Sequence, residues 1–280
     1  MGDTGIGGEQ LLGFARSLAE RERAAATVEK YTREAALLAR YIGDGELTKG
    51  ALLAYRETLR ARHRARTVNG KLSAVNAFLN YLGRPELALG LLRVQRRAFV
   101  EDGRELGEAE FRRLLAAARA AGNERLNHVM LAVCGTGIRI SELKYITVEA
   151  VRRGRAEISM KGKGRLILIP KELRRRLAEY AAAQGIGGGC LFVTRSGRPL
   201  DRSNVCQDMK KLCRAARVDE RRVFPHNLRH LFARCFYAVE KDLAHLADIL
   251  GHSSIETTRI YVATSARECE RTMAKMRLVI

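Results

Sequence analysis

The chain has 280 residues, 46% of them hydrophobic, which is enough for two domains with apolar cores. Lysine and arginine number 51 against 31 for aspartate and glutamate, and the formal charge of +20 favours a polyanionic partner, with nucleic acid as the first candidate. No apolar run approaches the roughly 20 residues that a bilayer span needs, and the N-terminus lacks a signal-peptide pattern, so we expect a cytoplasmic protein without membrane contact.

The first part of the chain predicts four helices, because apolar residues recur there at intervals of three and four. We expect Thr27 to cap the second helix and Gly43 to end it. Thr48 is expected to cap the third helix, and the fourth is expected to begin after Thr67. Residues 1–92 are therefore predicted to form a helical DNA-binding domain. Basic residues that could contact DNA phosphates, or could simply be solvated, are Arg60, Arg62, His63, Arg64, Arg66 and Lys71.

A charged stretch with glycine predicts a linker over residues 93–104, and a second domain follows over residues 105–280. Its first two helices are predicted in LGEAEFRRLLAAARAAG and NERLNHVMLAVCGTGI, with a short helix in RISELKYI. RAEISM and RLILIP are rich in β-forming residues, and the KGKG between them predicts a hairpin turn. LFVTRSGRPL is expected to add a third short strand, and the rest is predicted to be helical, including a single helix over residues 202–217.

The last helical stretch, ILGHSSIETTRIYV, places a histidine in a predicted helix break and a tyrosine in the helix that follows it. Ser253 and Glu256 fit a capping box, which starts a new helix directly after His252. In one continuous helix His252 and Tyr261 would lie about 13 Å apart, at about 1.5 Å per residue. A break over residues 251–254 lets the chain turn, so that both side chains can face one site. Read alone, the tyrosine is more often a core aromatic than a nucleophile.

Six residues of the second domain together indicate phosphoryl transfer, although each alone has an ordinary explanation. They are cations and hydrogen-bond donors around a tyrosine, with no carboxylates placed to hold Mg²⁺. Arginine is always charged and binds phosphate in a bidentate manner, and cations stabilise a tyrosine phenolate as a nucleophile. The six residues are Arg139, Lys163, His226, Arg229, His252 and Tyr261.

A zinc site is the main alternative for the histidines. His226 and His230 are four residues apart on a predicted helix, which is a spacing that can ligate zinc. Asn227 occupies the position of the glutamate in the H-E-x-x-H pattern, and no clear third ligand is present. The six cysteines are scattered without a C-x-x-C pair, so we expect no metal and no other cofactor.

Four motifs in this order resemble the tyrosine recombinase (phage integrase) family: TGIRISEL, KGKGRLILIP, HNLRHLFA and LGHSSIETTRIYV. The resemblance implies that Arg139, Arg229 and His252 hold a DNA phosphate and that Tyr261 is the nucleophile. It also implies that Lys163 is the general acid, with Lys161 in the same turn as a weaker alternative. His226 is expected to act as an acid–base group or to contact the phosphate, and Glu142 and His230 are expected to support the other site residues. Leu231 departs from the Ser or Thr that the family often has after the second arginine motif.

The resemblance also implies the fold class and the reaction. The fold is expected to be mainly α, with a four-helix core-binding bundle and a mixed α+β catalytic domain that has a small antiparallel sheet. The expected reaction is site-specific DNA recombination through a 3′-phosphotyrosyl intermediate, without metal, by a homotetramer on two DNA sites. The amphipathic tail SARECERTMAKMRLVI is expected to dock on a neighbouring subunit or, alternatively, on its own domain. The chain resembles the simple two-domain enzymes, which include Xer-type resolvases and mobile-element integrases.

Two other functions compete with recombination. A type IB topoisomerase resembles the same active site but relaxes DNA without exchanging partners, and the size of the chain and its tail favour the recombinase. A non-catalytic DNA-binding or architectural protein is the alternative from another class, and the complete set of catalytic residues argues against it. The DNA target and the biological role within the family stay open.

Overall fold

A computed structural model describes residues 6–94, 105–160, 163–194, 196–252, 254–262 and 273–275. The chain divides into two compact units, Met1–Arg96 and Arg97–Ile280. The predicted linker is described only at residues 93 and 94, and the predicted docking tail only at residues 273–275, so both stay predictions. None of the helices in the described ranges is both long and apolar enough to cross a membrane.

The N-terminal unit consists of helices α1 (Gly8–Glu20), α2 (Ala25–Ile42), α3 (Lys49–Arg62) and α4 (Ala65–Tyr81), followed by a short 3-10 helix (Pro85–Leu87). Thr48 caps α3 by accepting the backbone N–H of Ala51, and Gly43 ends α2 with a positive φ of 58°, as predicted. The predicted starts at Thr27 and Thr67 are wrong, because each threonine already lies in the first turn. Their backbone N–H groups donate to the carbonyls of residues 24 and 64.

The end of the N-terminal unit is fixed to α4 by two asparagine side chains. Asn76 donates its amide to the carbonyl of Leu89 and accepts the backbone N–H of the same residue, both at 2.8 Å. Asn69, two helical turns earlier, forms the same pair of bonds with Leu92 at 2.9 and 2.8 Å. Each side-chain amide thus bonds both backbone polar groups of one residue, as a neighbouring β-strand would. These bonds hold the chain to the unit as far as Leu92.

The C-terminal unit is mainly helical around a two-stranded antiparallel sheet, which confirms the expected fold class. The large apolar core contains Met130, Val133, Ile138, Ile167 and Leu228. Its elements are α5 (Glu108–Ala120), α6 (Glu124–Thr136), a 3-10 helix (Ile140–Tyr145), α7 (Val148–Arg153), β1 (Arg155–Met160), β2 (Lys163–Leu168), α8 (Lys171–Ala183), α9 (Arg202–Lys211), α10 (Cys213–Ala216), a 3-10 helix (Glu220–Arg222), α11 (Pro225–Glu240), α12 (Leu243–Leu250) and α13 (Ile255–Val262).

Several local expectations for this unit are wrong. The predicted third strand forms only an isolated bridge between Val193 and Pro199, and the helix predicted over residues 202–217 is divided at Leu212. RISELKYI does form the predicted short helix, as a 3-10 helix, whereas α7 is a helix that the sequence pattern does not predict. Lys163 is the first residue of β2, paired with Met160, instead of a residue of the turn. The predicted capping box includes Ser253, which lies outside the described residues, and it stays a prediction.

Candidate active site

Helix α11 supplies one wall of the candidate site. Its proline at the first helical position has a fixed φ that suits a helix start, so the helix begins directly before His226. His226, Arg229 and His230 then share one face, because residues three and four apart in a helix lie side by side. The Arg229 side chain points inward and is only 1% exposed.

The buried guanidinium of Arg229 is held by neutral acceptors. Nη1 donates to the carbonyl of Gly137 at 2.7 Å, and Nη2 donates to the carbonyl of Leu250 at 2.8 Å. Nη2 also lies 2.8 Å from Nε2 of His252, whereas Nε has no partner among the described residues. Burial, followed by the nearby Arg139, lowers the pKa of Arg229 to about 10, so the group is still a cation at neutral pH. A buried cation held by neutral groups is a strong site for an anion.

The contacts of His252 determine which ring nitrogen carries the proton. Arg229 has only donors, so the Nε2 atom that faces it must accept. The proton therefore lies on Nδ1, which donates to the hydroxyl of Thr258 at 2.8 Å. Burial, together with Arg229, Arg139 and Arg165, lowers the pKa of His252 to about 4 and keeps the ring neutral at pH 7.

Tyr261 lies at the centre of this arrangement. Its ring stacks on His230 with centroids 4.2 Å apart, lies 5.2 Å from the ring of His252, and is 5.9 Å from the guanidinium carbon of Arg229. Its hydroxyl is 3.2 Å from Nε2 of His226. The ring is 5% exposed and belongs to a small apolar cluster with Leu246 and Leu250, so the tyrosine is a packed aromatic and a site residue at once.

The break between α12 and α13 brings His252 and Tyr261 together. Gly251 adopts a left-handed conformation, with φ 64° and ψ 48°, and ends α12. Helix α13 begins at Ile255 and packs against α12. The two rings consequently lie 5.2 Å apart instead of about 13 Å along one continuous helix.

A second, more exposed arginine lies at the start of the 3-10 helix after α6. Arg139 donates from Nη1 to Oε1 of Glu142 at 2.9 Å, and its backbone N–H donates to Oε2 at 2.8 Å. The Glu142 carboxylate is buried, whereas the Arg139 side chain is 43% exposed. Glu142 therefore orients an arginine whose remaining donors can reach a ligand.

Two residues of this site were missed at the level of sequence. Arg165 on β2 donates from Nη2 to Oε2 of Glu142 at 3.2 Å, and from Nη1 to the carbonyl of Leu250 that also binds Arg229. Thr258, which is fully buried, holds His252 from one turn before Tyr261. Weak signals exist for both, since Arg165 is two residues after Lys163 on a strand and Thr258 is three before Tyr261 on a helix.

The hairpin lysine is described only in its backbone. Lys163 begins β2, and the alternative Lys161 lies outside the described residues. Arg165, two residues after Lys163 on β2, reaches Glu142 and the carbonyl of Leu250 in the same site.

The DNA-contact candidates of the N-terminal unit differ in their surroundings. Lys71 is largely buried and donates to the buried carboxylate of Glu34 at 2.8 Å, so its charge is neutralised inside the unit. Arg60 forms an exposed ion pair with Glu57 at 2.9 Å. The other basic residues lie on the surface where α3 ends and α4 begins, and these are Arg62, His63, Arg64 and Arg66.

The histidines and cysteines do not form a metal site in the described part of the chain, where no group of three or more His, Cys, Asp or Glu side chains could hold an ion. Burial lowers the pKa of His230 to about 4, and burial with nearby arginines lowers the pKa of His226. Both rings are therefore neutral at pH 7. The site offers arginine donors, neutral imidazoles and one phenol, which suits a phosphodiester with a tyrosine as nucleophile.

The chain is similar in sequence to known proteins. The sequence profile of the phage integrase family matches residues 104–268. The tyrosine recombinase XerD of Bradyrhizobium diazoefficiens is 33% identical over 172 residues, which are 56% of this chain and 53% of that protein. The tyrosine recombinase XerA of Pyrococcus furiosus is 26% identical over 281 residues, covering 97% of this chain and 95% of that protein.

Solved structures show the same fold at low identity. A lambda integrase dimer bound to a COC′ core site has a TM-score of 0.72 at 18% identity, covering 92% of this chain and 96% of that one. A crystal structure of XerA recombinase has a TM-score of 0.54 at 21% identity, covering 97% and 99%.

Proposed function

The chain belongs to the phage integrase family, and we propose that it is a site-specific DNA recombinase with Tyr261 as its nucleophile. The observation that carries the proposal is the position of this tyrosine. Its hydroxyl lies 3.2 Å from a neutral histidine, and its ring lies beside the buried cation of Arg229. The relatives named as Xer tyrosine recombinases support the same reaction.

In the cleavage step, the Tyr261 oxygen forms a bond to phosphorus and the bond from phosphorus to the 5′ oxygen breaks. The phenol proton passes to Nε2 of His226, which is neutral and faces the hydroxyl. The leaving 5′ oxygen takes a proton from the hairpin lysine, which we propose is Lys163. The products are a 3′-phosphotyrosyl bond and a free 5′-hydroxyl.

The phosphate in this step is held by the two arginines, and His252 orients the Arg229 guanidinium by accepting a hydrogen bond at Nε2. Charge that develops on the non-bridging oxygens is stabilised by preorganised donors in a partly buried site. Arg139 offers exposed donors, and Arg229 offers an unpaired Nε and a full positive charge. Rejoining reverses the step when the 5′-hydroxyl of a partner strand attacks the phosphotyrosine. The covalent intermediate conserves the energy of the phosphodiester, so the reaction requires no nucleotide.

Recombination joins two DNA sites, and we propose that four copies of the chain assemble on them. A neighbour in fold, lambda integrase, is described as a tetramer bound to a Holliday junction. The C-terminal tail is our candidate for the contact between subunits, and the surface of Arg62, Arg64 and Arg66 is our candidate for DNA phosphate contacts in the N-terminal unit. The enzyme would act in the compartment that holds its DNA substrate, and the cytoplasm is our proposal for it.

A nicked suicide substrate tests the proposal. Genomic DNA protected by the full-length chain supplies the site, and a nick near the cleavage point lets the 5′-hydroxyl fragment diffuse away. The wild-type chain should form an SDS-stable DNA complex, and Tyr261→Phe should form none while binding the same DNA. Absence of the wild-type complex, or an equal amount with Tyr261→Phe, would overturn the proposal. A two-site plasmid then separates strand exchange from relaxation alone.

The lysine is assigned with a second substrate that has sulfur in place of the bridging 5′ oxygen. A thiol has a pKa near 8.5, so a thiolate leaves without a general acid, whereas an alkoxide needs one. The lysine that acts as acid is the one whose alanine variant fails on the oxygen substrate and recovers on the sulfur substrate. We expect this behaviour from Lys163→Ala and not from Lys161→Ala.

A further inference from the structure

Arg165 makes contacts in the site that none of the roles above accounts for. It binds two groups that already belong to the catalytic machinery. Its Nη2 shares the Glu142 carboxylate with Arg139, at 3.2 Å. Its Nη1 shares the Leu250 carbonyl with Arg229. Arg165 therefore connects the strand of the hairpin lysine with both arginines that hold the phosphate.

The hairpin needs such a connection, because a two-stranded sheet is marginally stable by itself. The base of the hairpin is anchored by burial of Ala156, Ile158 and Ile167 in the apolar core. Gly164 has no side chain to anchor. Arg165 is thus the first side chain after Lys163 along β2, and it is bonded to the rest of the unit and 11% exposed.

Arg165 also contacts the helix break. A Cβ atom on Gly251 would lie 2.5 Å from Cδ of Arg165 and 2.9 Å from its Nη1, so the arginine occupies the space that the glycine leaves open. The carbonyl that it binds belongs to Leu250, two residues before His252. Arg165 therefore lies between the hairpin and the break after α12, and the break gives the hairpin a fixed surface to bind.

We propose that Arg165 is a positioning residue that couples the general-acid hairpin to the cleavage centre. It sets the place of the hairpin lysine relative to the phosphate and does not itself contact the phosphate. This inference rests on the proposed function. Its loss should impair protonation of the leaving oxygen and leave the arginine clamp and the nucleophile nearly intact.

The test compares variants on the nicked duplexes with bridging oxygen and bridging sulfur, as single-turnover rates of covalent complex formation. Arg165→Met removes the donors and keeps an apolar side chain. It should slow cleavage of the oxygen substrate about 100-fold, the typical effect of a misplaced catalytic group, and cleave the sulfur substrate at nearly the wild-type rate. Arg165→Lys retains one donor group and should fall between Arg165→Met and wild type. Arg155→Met, an exposed arginine on the same hairpin, should match wild type on both substrates.

Activity on the sulfur substrate also shows that Arg165→Met is folded. An equal loss on both substrates, or no loss on the oxygen substrate, would overturn the inference. In the double variant, adding Arg165→Met to Lys163→Ala should slow cleavage of the oxygen substrate by no more than about a further twofold, since both residues act on one proton transfer. A double variant whose rate loss equals the product of the losses of the two single variants would likewise overturn the inference. A wild-type chain that fails on both substrates would instead refute the proposed function.

Discussion

Replacement of Gly251 by alanine should damage the active site more than an equivalent replacement elsewhere. Gly251 has φ 64°, and a left-handed residue with a Cβ costs about 1–2 kcal/mol. The new Cβ would also displace Arg165, whose Cδ would lie 2.5 Å away. Loss of one hydrogen bond with a charged partner adds about 1.5–3 kcal/mol.

Gly185 is the matched control for this effect. It has φ 66° after α8, and a Cβ there would meet nothing within 4 Å. Gly185→Ala should therefore cost only the backbone term of about 1–2 kcal/mol. The difference between the free energies of unfolding of the two variants therefore measures the displacement of Arg165. We expect this difference to be about 1.5–3 kcal/mol.

Urea unfolding followed by circular dichroism measures the stability, and covalent complex formation on the suicide duplex measures the activity. Gly251→Ala should slow cleavage about 100-fold, because the break holds both His252 and Tyr261, whereas Gly185→Ala should cleave normally. Equal stabilities and equal rates for the two variants would show that the space beside Gly251 is unimportant and would refute the reasoning.

Three further predictions concern other parts of the structure. Thr258→Val should slow cleavage about 10-fold or more by leaving Nδ1 of His252 unpaired, and Thr258→Ser should restore it, as single-turnover rates will show. Burial and nearby arginines lower the pKa of His226 from its usual 6.5, so the single-turnover cleavage rate should fall to half of its plateau only at a pH below 6.5, and a midpoint above 6.5 would contradict its role as the base. Lys71→Met should cost about 1–3 kcal/mol in urea unfolding, because it removes the hydrogen-bonded cation from the buried Glu34 carboxylate and leaves it only the exposed Arg33 at 3.7 Å, and an unchanged stability would mean that the pair is solvated.

The helices and the order of the chemical motifs could be predicted from the sequence because their signals are local. Apolar residues at intervals of three and four mark each amphipathic helix, and the cap at Thr48 and the stop at Gly43 depend on neighbouring residues. The threonines at 27 and 67 show the limit of local signals. Each resembles a cap, but the helix starts one turn earlier and a backbone carbonyl accepts the N–H group instead.

The sequence by itself determined which residues could form a phosphate site, whereas the tertiary structure decided how they are connected. Arg165 bonds to a carbonyl 85 positions away, and Arg229 bonds to one 92 positions away, so no local pattern reports either contact. Lys71 has the positive charge expected of a DNA-binding residue, yet the carboxylate of Glu34 on another helix neutralises that charge. The residue type gives the charge of a side chain, but its burial and its partners depend on packing between distant segments.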